Sequence, residues 1–141
     1  MVLGSLLVRG VQMLANDITL DAANGTDVVY RLVSNSVDGS RRIDIASTLA
    51  LPAVLNIKHS VTGKPPLLTD RHLIQISKTI PAAIGTATCV VNLTITVPRD
   101  AAVTSTVVHD VLANLIDLLL DGGLSTLATS ANIDALLRGE S

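Results

Sequence analysis

CVVNLTITVPRDAAVTSTVVHDVLANLIDLLL, residues 89–120, changes its hydrophobic period once, and that change decides the fold. Through 89–97 the pattern has period two. Val91, Leu93, Ile95 and Val97 share one face; Val90, Asn92, Thr94 and Thr96 share the other, as in a half-buried strand. Pro98 has no amide hydrogen with which to continue a ladder. Thr104 or Ser105 can then cap a helix. Beyond that point Val108, Val111, Leu112, Leu115, Leu118 and Leu119 recur at helical spacing and form one stripe. Fully buried, each would contribute about 1.5–3 kcal/mol before chain entropy is counted. Gly122-Gly123 ends the helix. A shorter helix is expected from Ser130 to Arg138, with Asp134 in its first half, Arg138 near its end and Gly139 as the stop, the polarity the helix dipole favours.

Upstream, two β-like runs at 11–21 and 27–33 are joined through Asn24-Gly25, a strong hairpin signal because both residues tolerate positive φ. A run at 41–49 follows the turn signal Asp38-Gly39. Pro52 opens the run 53–61, and Gly63-Lys64-Pro65-Pro66 closes it. The next run is 71–80, and a loop over 81–86 with Gly85 leads into 89–97. Alternation puts Ile43, Ile45, Leu55, Ile57, Val61, Ile74, Ile76 and Ile80 on a greasy face. It leaves Arg42, Asp44, Ala46 and Thr48, then Asn56, Lys58 and Ser60, then Arg71, Leu73, Gln75 and Ser77, on a polar one. The expected architecture is segregated α+β. An N-terminal hairpin (11–33) and an antiparallel sheet of about five strands (41–98) precede two helices (104–138), all in one domain, 1–141.

A chain of 141 residues, 48% apolar and 16% charged, is long enough and greasy enough to fold around a core. Tyr30 is its one aromatic residue. So many aliphatic residues with so few charges imply covered surface, and oligomerisation is the simplest cover. Cys89 is alone and is expected to be a buried spectator thiol, with no disulfide framework. The apolar stretch 111–120 contains Asn114 and Asp117 and is too short and too polar to cross a membrane. Residues 1–15 are apolar but lack a basic start and are interrupted by Arg9, so they read as mature structure rather than a signal peptide.

The charges are sorted by position. Residues 28–99 carry a net +5, residues 100–141 a net −5, and residues 1–27 a net −2. A basic strand layer and an acidic helical layer give one side suited to polyanions. No catalytic grouping is present. His59, His72 and His109 share no metal-ligand spacing, so no metal site and no cofactor is expected. Gly63-Lys64 lacks the glycine spacing of a phosphate loop, and Pro65-Pro66 blocks the helix such a loop needs. Asn24-Gly-Thr26 and Asn92-Leu-Thr94 match the glycosylation acceptor pattern, which acts only in a eukaryotic secretory pathway. The polar sheet face is the candidate site. There Arg42, Lys58 and Arg71 would meet phosphates, while Asn56, Ser60, Gln75, Ser77, Asn92, Thr94 and Thr96 offer short hydrogen-bonding groups. Tyr30 is the one available stacking platform.

Taken in order, these elements resemble the coat proteins of single-stranded RNA bacteriophages, the leviviruses. The carrying segments are 18–33 with its Asn-Gly hairpin, the paired runs 54–62 and 70–81, and 92–98 leading into the long helix. The shorter helix after Gly122-Gly123 completes a likeness covering about residues 11–141. The resemblance implies an interlocked homodimer in which each subunit's helices, through the Val108–Leu119 stripe, lie across the partner's sheet. It further implies a quasi-equivalent icosahedral shell with sheets facing the packaged genome and helices and hairpin outside, so that the protein resides in the virion after assembly in a bacterial cytoplasm. The loop at 81–87 would gather around the symmetry axes, where Cys89 alone cannot cross-link a ring. In the family the inner sheet also binds an RNA hairpin at the replicase start and represses translation. By position Asn56, Lys58, Ser60, Arg71, Gln75, Ser77, Val90 and Asn92 fall on the matching faces. Where the last strand of the family often carries a stacking tyrosine, this chain has Val90 and Asn92.

A rival reading is a cellular dimeric α+β module gripping RNA or a small ligand on the same open sheet. Size separates the two, because a shell elutes as a megadalton particle and a module as a dimer.

Overall fold

The computed structural model describes residues 14–120 and 130–140. The expected start of the first run at 11–13, most of the apolar lead at 1–15 and the Gly122-Gly123 stop lie outside those residues. Six strands form one antiparallel meander: β1 (Asp17–Asp21), β2 (Asp27–Ser36), β3 (Gly39–Asp44), β4 (Ala53–Lys64), β5 (Leu67–Pro81) and β6 (Thr86–Pro98). The N-terminal hairpin is therefore the first pair of strands in the sheet, not a separate arm. Its turn is built as its residue types demand. Asn24 Oδ1 accepts from the Thr26 amide at 3.0 Å, and Gly25 takes φ 85°.

The strand ends depart from simple alternation for local reasons. β3 stops at Asp44 rather than at residue 49, because Asp44 Oδ1 takes the Ala46 amide at 2.9 Å and its carbonyl takes the Ser47 hydroxyl at 2.7 Å. β4 and β5 instead run on to Lys64 and from Leu67, so only Pro65 and Pro66 separate them. β2 carries an irregularity between Leu32 and Ser34, which moves Ser34 opposite Arg41.

Tyr30, Leu55 and Ile57 form the core, with Ile18, Val28, Ile74 and Ile76 packed against them. All seven lie on one side of the sheet, because antiparallel partners share a face. The core is small: Tyr30, Ala53, Val54, Leu55 and Ile57 are the only buried hydrophobic residues among those described. Cys89, expected to be buried, is exposed. It sits near the start of β6, an edge strand, where no further strand covers it.

Two helices follow, α1 (Ser105–Leu120) and α2 (Ala131–Leu137). Thr104 is the cap of α1, its Oγ1 accepting from the Val107 amide at 3.4 Å. Ser130 caps α2 by accepting from the Ile133 amide, and its hydroxyl donates to the Leu119 carbonyl at 2.9 Å. Asn132 Nδ2 donates to the Leu118 carbonyl at 2.7 Å, so α2 satisfies carbonyls at the end of α1 that the helix itself leaves open. The stripe Val108–Leu119 lies on α1 as its period requires, yet α1 buries no residue at all. Between α1 and β6 is a cleft of about 210 Å³, lined by Val108, Val111, Leu112 and Leu115 on one side and Leu93 and Ile95 on the other.

The chain leaves β6 under control. The Arg99 amide donates to the Leu68 carbonyl at 2.9 Å, and its guanidinium holds Asp70 through contacts of 2.8, 3.1 and 3.1 Å. The hydrogen bonds from Arg99 hold the Asp70 carboxyl below the usual carboxylate range. A lowered carboxylate stabilises the folded chain above its unfolded pKa, and that contribution is lost as pH falls through the folded value. Acidification below about pH 4 is thus expected to lower the protection of the Arg99 amide relative to an unstructured chain at the same pH, and Asp70→Asn should remove that loss of protection. In a second prediction, a Cβ at Gly39 would collide with the backbone carbonyl of Ile57. Gly39→Ala should therefore force β3 away from β4 and lower stability by about 1–3 kcal/mol in urea denaturation.

Candidate nucleic-acid interface

The register turns the polar face into a grid of rows crossing the sheet. One row reads Arg41, Asn56, Gln75, Asn92; the next reads Gly39, Lys58, Leu73, Thr94; a third reads Ser60, Arg71, Thr96. A fourth, on the other flank, reads Arg31, Ile43, Val54, Ser77, Val90. Asn56, Lys58, Ser60, Arg71, Gln75, Ser77, Asn92 and Thr94 therefore share the face on which they were expected. Asn56 Nδ2 donates to Gln75 Oε1 at 3.3 Å, which orients two amides of the central row.

Arg42 does not belong to this face. It stands opposite Leu55 and Leu32, on the apolar side, and is 3% exposed. Its Nη2 donates to the Ala15 carbonyl at 2.8 Å, Nε to the Asn16 carbonyl at 3.2 Å, and Nη1 to Ser40 Oγ at 2.5 Å. These bonds pin the segment before β1 across the core, so the guanidinium is a structural tie and unavailable to a phosphate. The phase of β3 is one residue off the expected one. Ile43 faces the polar side beside Val54, and Arg41 points where Arg42 was placed.

That shift supplies what the sequence reading missed. Arg31 on β2, Arg41 on β3, Lys58 on β4 and Arg71 on β5 each stand one strand over and one row along from the last. Diagonal neighbours of this kind lie about 7–8 Å apart, so the four make an oblique line of cations. Arg31 is held only by an exposed pair to Asp17 at 3.3 Å, a contact a phosphate could replace. Arg41, Lys58, Ser60 and Arg71 line a groove of about 680 Å³, in which Asp38 is the one acid among the described residues. The chemistry is therefore anion contact plus short hydrogen bonding, without stacking. Tyr30 lies on the opposite face, and burial, then the nearby Asp44 charge, pushes its phenol above its ordinary range.

No protein-family model matches the chain, and no curated protein sequence matches it. Solved structures do. The chain is similar to the bacteriophage EMS014 coat protein, with a TM-score of 0.70 at 12% identity, covering 91% of this chain and 98% of that one. It is also similar to the virus-like particle of Beihai levi-like virus 21, with TM-score 0.58 and 13% identity over 92% and 97% of the two chains. The virus-like particle of bacteriophage ESE020 matches with TM-score 0.57 and 19% identity over 92% and 99%. The chain has the fold of these phage coat proteins: an antiparallel meander followed by two C-terminal helices. Recognition of this fold from element order and spacing is borne out.

The two arginines give a direct check on the face assignment. Arg42→Ala should lower stability by about 2–4 kcal/mol, because it leaves backbone carbonyls without donors, while Arg41→Ala should stay within about 0.5 kcal/mol of the parent in urea denaturation.

Proposed function

We propose that the chain is the coat subunit of a single-stranded RNA phage, a structural and non-enzymatic protein that dimerises, closes into an icosahedral shell and packs genomic RNA against its polar sheet face. The observation that carries this reading is α1, an amphipathic helix with no buried side chain, standing beside a sheet whose apolar face is half covered. A second copy answers both needs at once. Its helices can bring Val108, Val111, Leu112, Leu115, Leu118 and Leu119 onto this sheet. The exposed edge of β6, 13 residues long, offers unpaired backbone groups for a matching strand. The likeness to coat proteins and virus-like particles supports the shell as the end point of that pairing. At the β5–β6 turn Ile84 is 94% exposed, a further apolar contact for a neighbour in a shell.

The cation diagonal supports RNA as the interior partner. Its groups meet phosphates, which carry affinity but no sequence. The amide row Asn56, Gln75, Asn92 can meet base edges in an unpaired loop, and it is the part of the face suited to an operator hairpin. With no aromatic on this face, packaging is favoured over tight hairpin readout.

Electron microscopy and size-exclusion chromatography of the expressed protein decide between a shell and a cellular module: particles of megadalton size are expected, and a species no larger than a dimer would overturn the capsid reading. Because Tyr30 is the sole aromatic residue, packaged RNA should dominate the ultraviolet spectrum. Lys58→Ala with Arg71→Ala should lower RNA content and reduce the salt slope of RNA binding by about one per cation removed; unchanged values would place RNA elsewhere. Leu115→Asp should abolish dimers by setting an unpaired charge in the helix–sheet seam.

A further inference from the structure

His59 on β4 and His72 on β5 are directly opposed in the sheet register. Their Nδ1 atoms are 2.9 Å apart, with ring centroids 5.1 Å apart and planes at 70°. Thirteen positions separate them in sequence, a spacing that matches no ligand motif, so only strand pairing makes them neighbours. We propose that this pair is a bidentate site for a divalent transition metal of tetragonal preference, Cu(II) or Ni(II). Metal–imidazole bonds of about 2.0–2.1 Å to two nitrogens 2.9 Å apart subtend about 90° at the metal. That is the cis angle of square-planar and octahedral centres. A tetrahedral zinc centre would need the two nitrogens about 3.3 Å apart.

The scaffold holds both rings in this relation. β4 and β5 remain paired on either side, through Ile57 with Ile74 and Val61 with Asp70, and the His59 amide donates to the Asp38 carbonyl at 2.6 Å. The Asp70 carboxylate, two residues from His72, is already engaged by Arg99. Among the described residues no group of three or more His, Cys, Asp or Glu is placed to hold a metal. Two imidazoles are thus the whole contribution of the described residues, and water fills the other positions. In the metal-free pair one Nδ1–H donates to the other Nδ1. Binding shifts the donor ring's proton from Nδ1 to Nε2 through solvent. The two freed Nδ1 lone pairs form two metal–nitrogen bonds that displace two waters from the hydrated ion, with no net release of protons and no change of oxidation state. A bound ion would cross-link β4 to β5 on the apolar side of the sheet, and the site does not depend on the capsid reading.

Cu(II) titration of chelator-treated protein, followed by electron paramagnetic resonance, tests the site. One Cu(II) per chain coordinated by two imidazole nitrogens is expected. Ni(II) binding measured by calorimetry should exceed Zn(II) binding several-fold. His59→Thr and His72→Thr should each weaken Cu(II) and Ni(II) at least tenfold, while His109→Thr on α1 changes neither. Absence of a bound Cu(II), a spectrum with fewer than two imidazole nitrogens, or unchanged affinity in either strand variant would overturn the proposal. The wild-type spectrum decides if a variant fails to fold.

Discussion

Sixteen residues of amphipathic helix stand beside this sheet without one buried side chain, and most other features follow from what that helix lacks. In its stripe Val108, Leu112 and Leu119 are half-buried while Val111, Leu115 and Leu118 are exposed, so much of the about 1.5–3 kcal/mol that each fully buried side chain would contribute is not realised. Arg99, bound to Asp70 and to the Leu68 carbonyl, fixes the direction in which the chain leaves β6, and the α2 caps tie the far end of α1 to α2. The free edge of β6 points to the same remedy. Completion by a second copy, as proposed, would satisfy helix, sheet face and strand edge together.

The other face of the same sheet obeys a different rule. Its side chains need no cover, so they can be charged, and the register lines four cations obliquely across β2 to β5. The neighbours Arg41 and Arg42 show how sharply the pleat divides these duties. One faces the groove; the other is 3% exposed and spends its donors on the Ala15 and Asn16 carbonyls and on Ser40. Strand pairing does similar work on the apolar side, where it sets two histidines from distant positions nitrogen to nitrogen.

Much of this was legible in the residues. The change of period after Val97, the helical stripe from Val108 to Leu119, the Asn24-Gly25 turn and a cap at one of Thr104 and Ser105 each express a local rule, and the structure follows each, with Thr104 taking the cap; Ser130, read as the first residue of the second helix, is its cap instead. The polar phase of β4, β5 and β6 was legible too, because long alternating runs leave a single consistent choice of face. β3 was not. It is 6 residues long, sets two arginines beside a single isoleucine, and follows a register shift in β2, so its alternation fits either face.

Element types, their order and the two-faced character of the sheet were set by the amino-acid sequence itself, since they depend on spacing within short windows. Tertiary structure alone decided which arginine faces the groove, that Cys89 is exposed at an edge and that His59 meets His72. Those outcomes depend on registers between strands. A shift of one residue in pairing exchanges the faces of every side chain in a strand while leaving its sequence pattern unchanged.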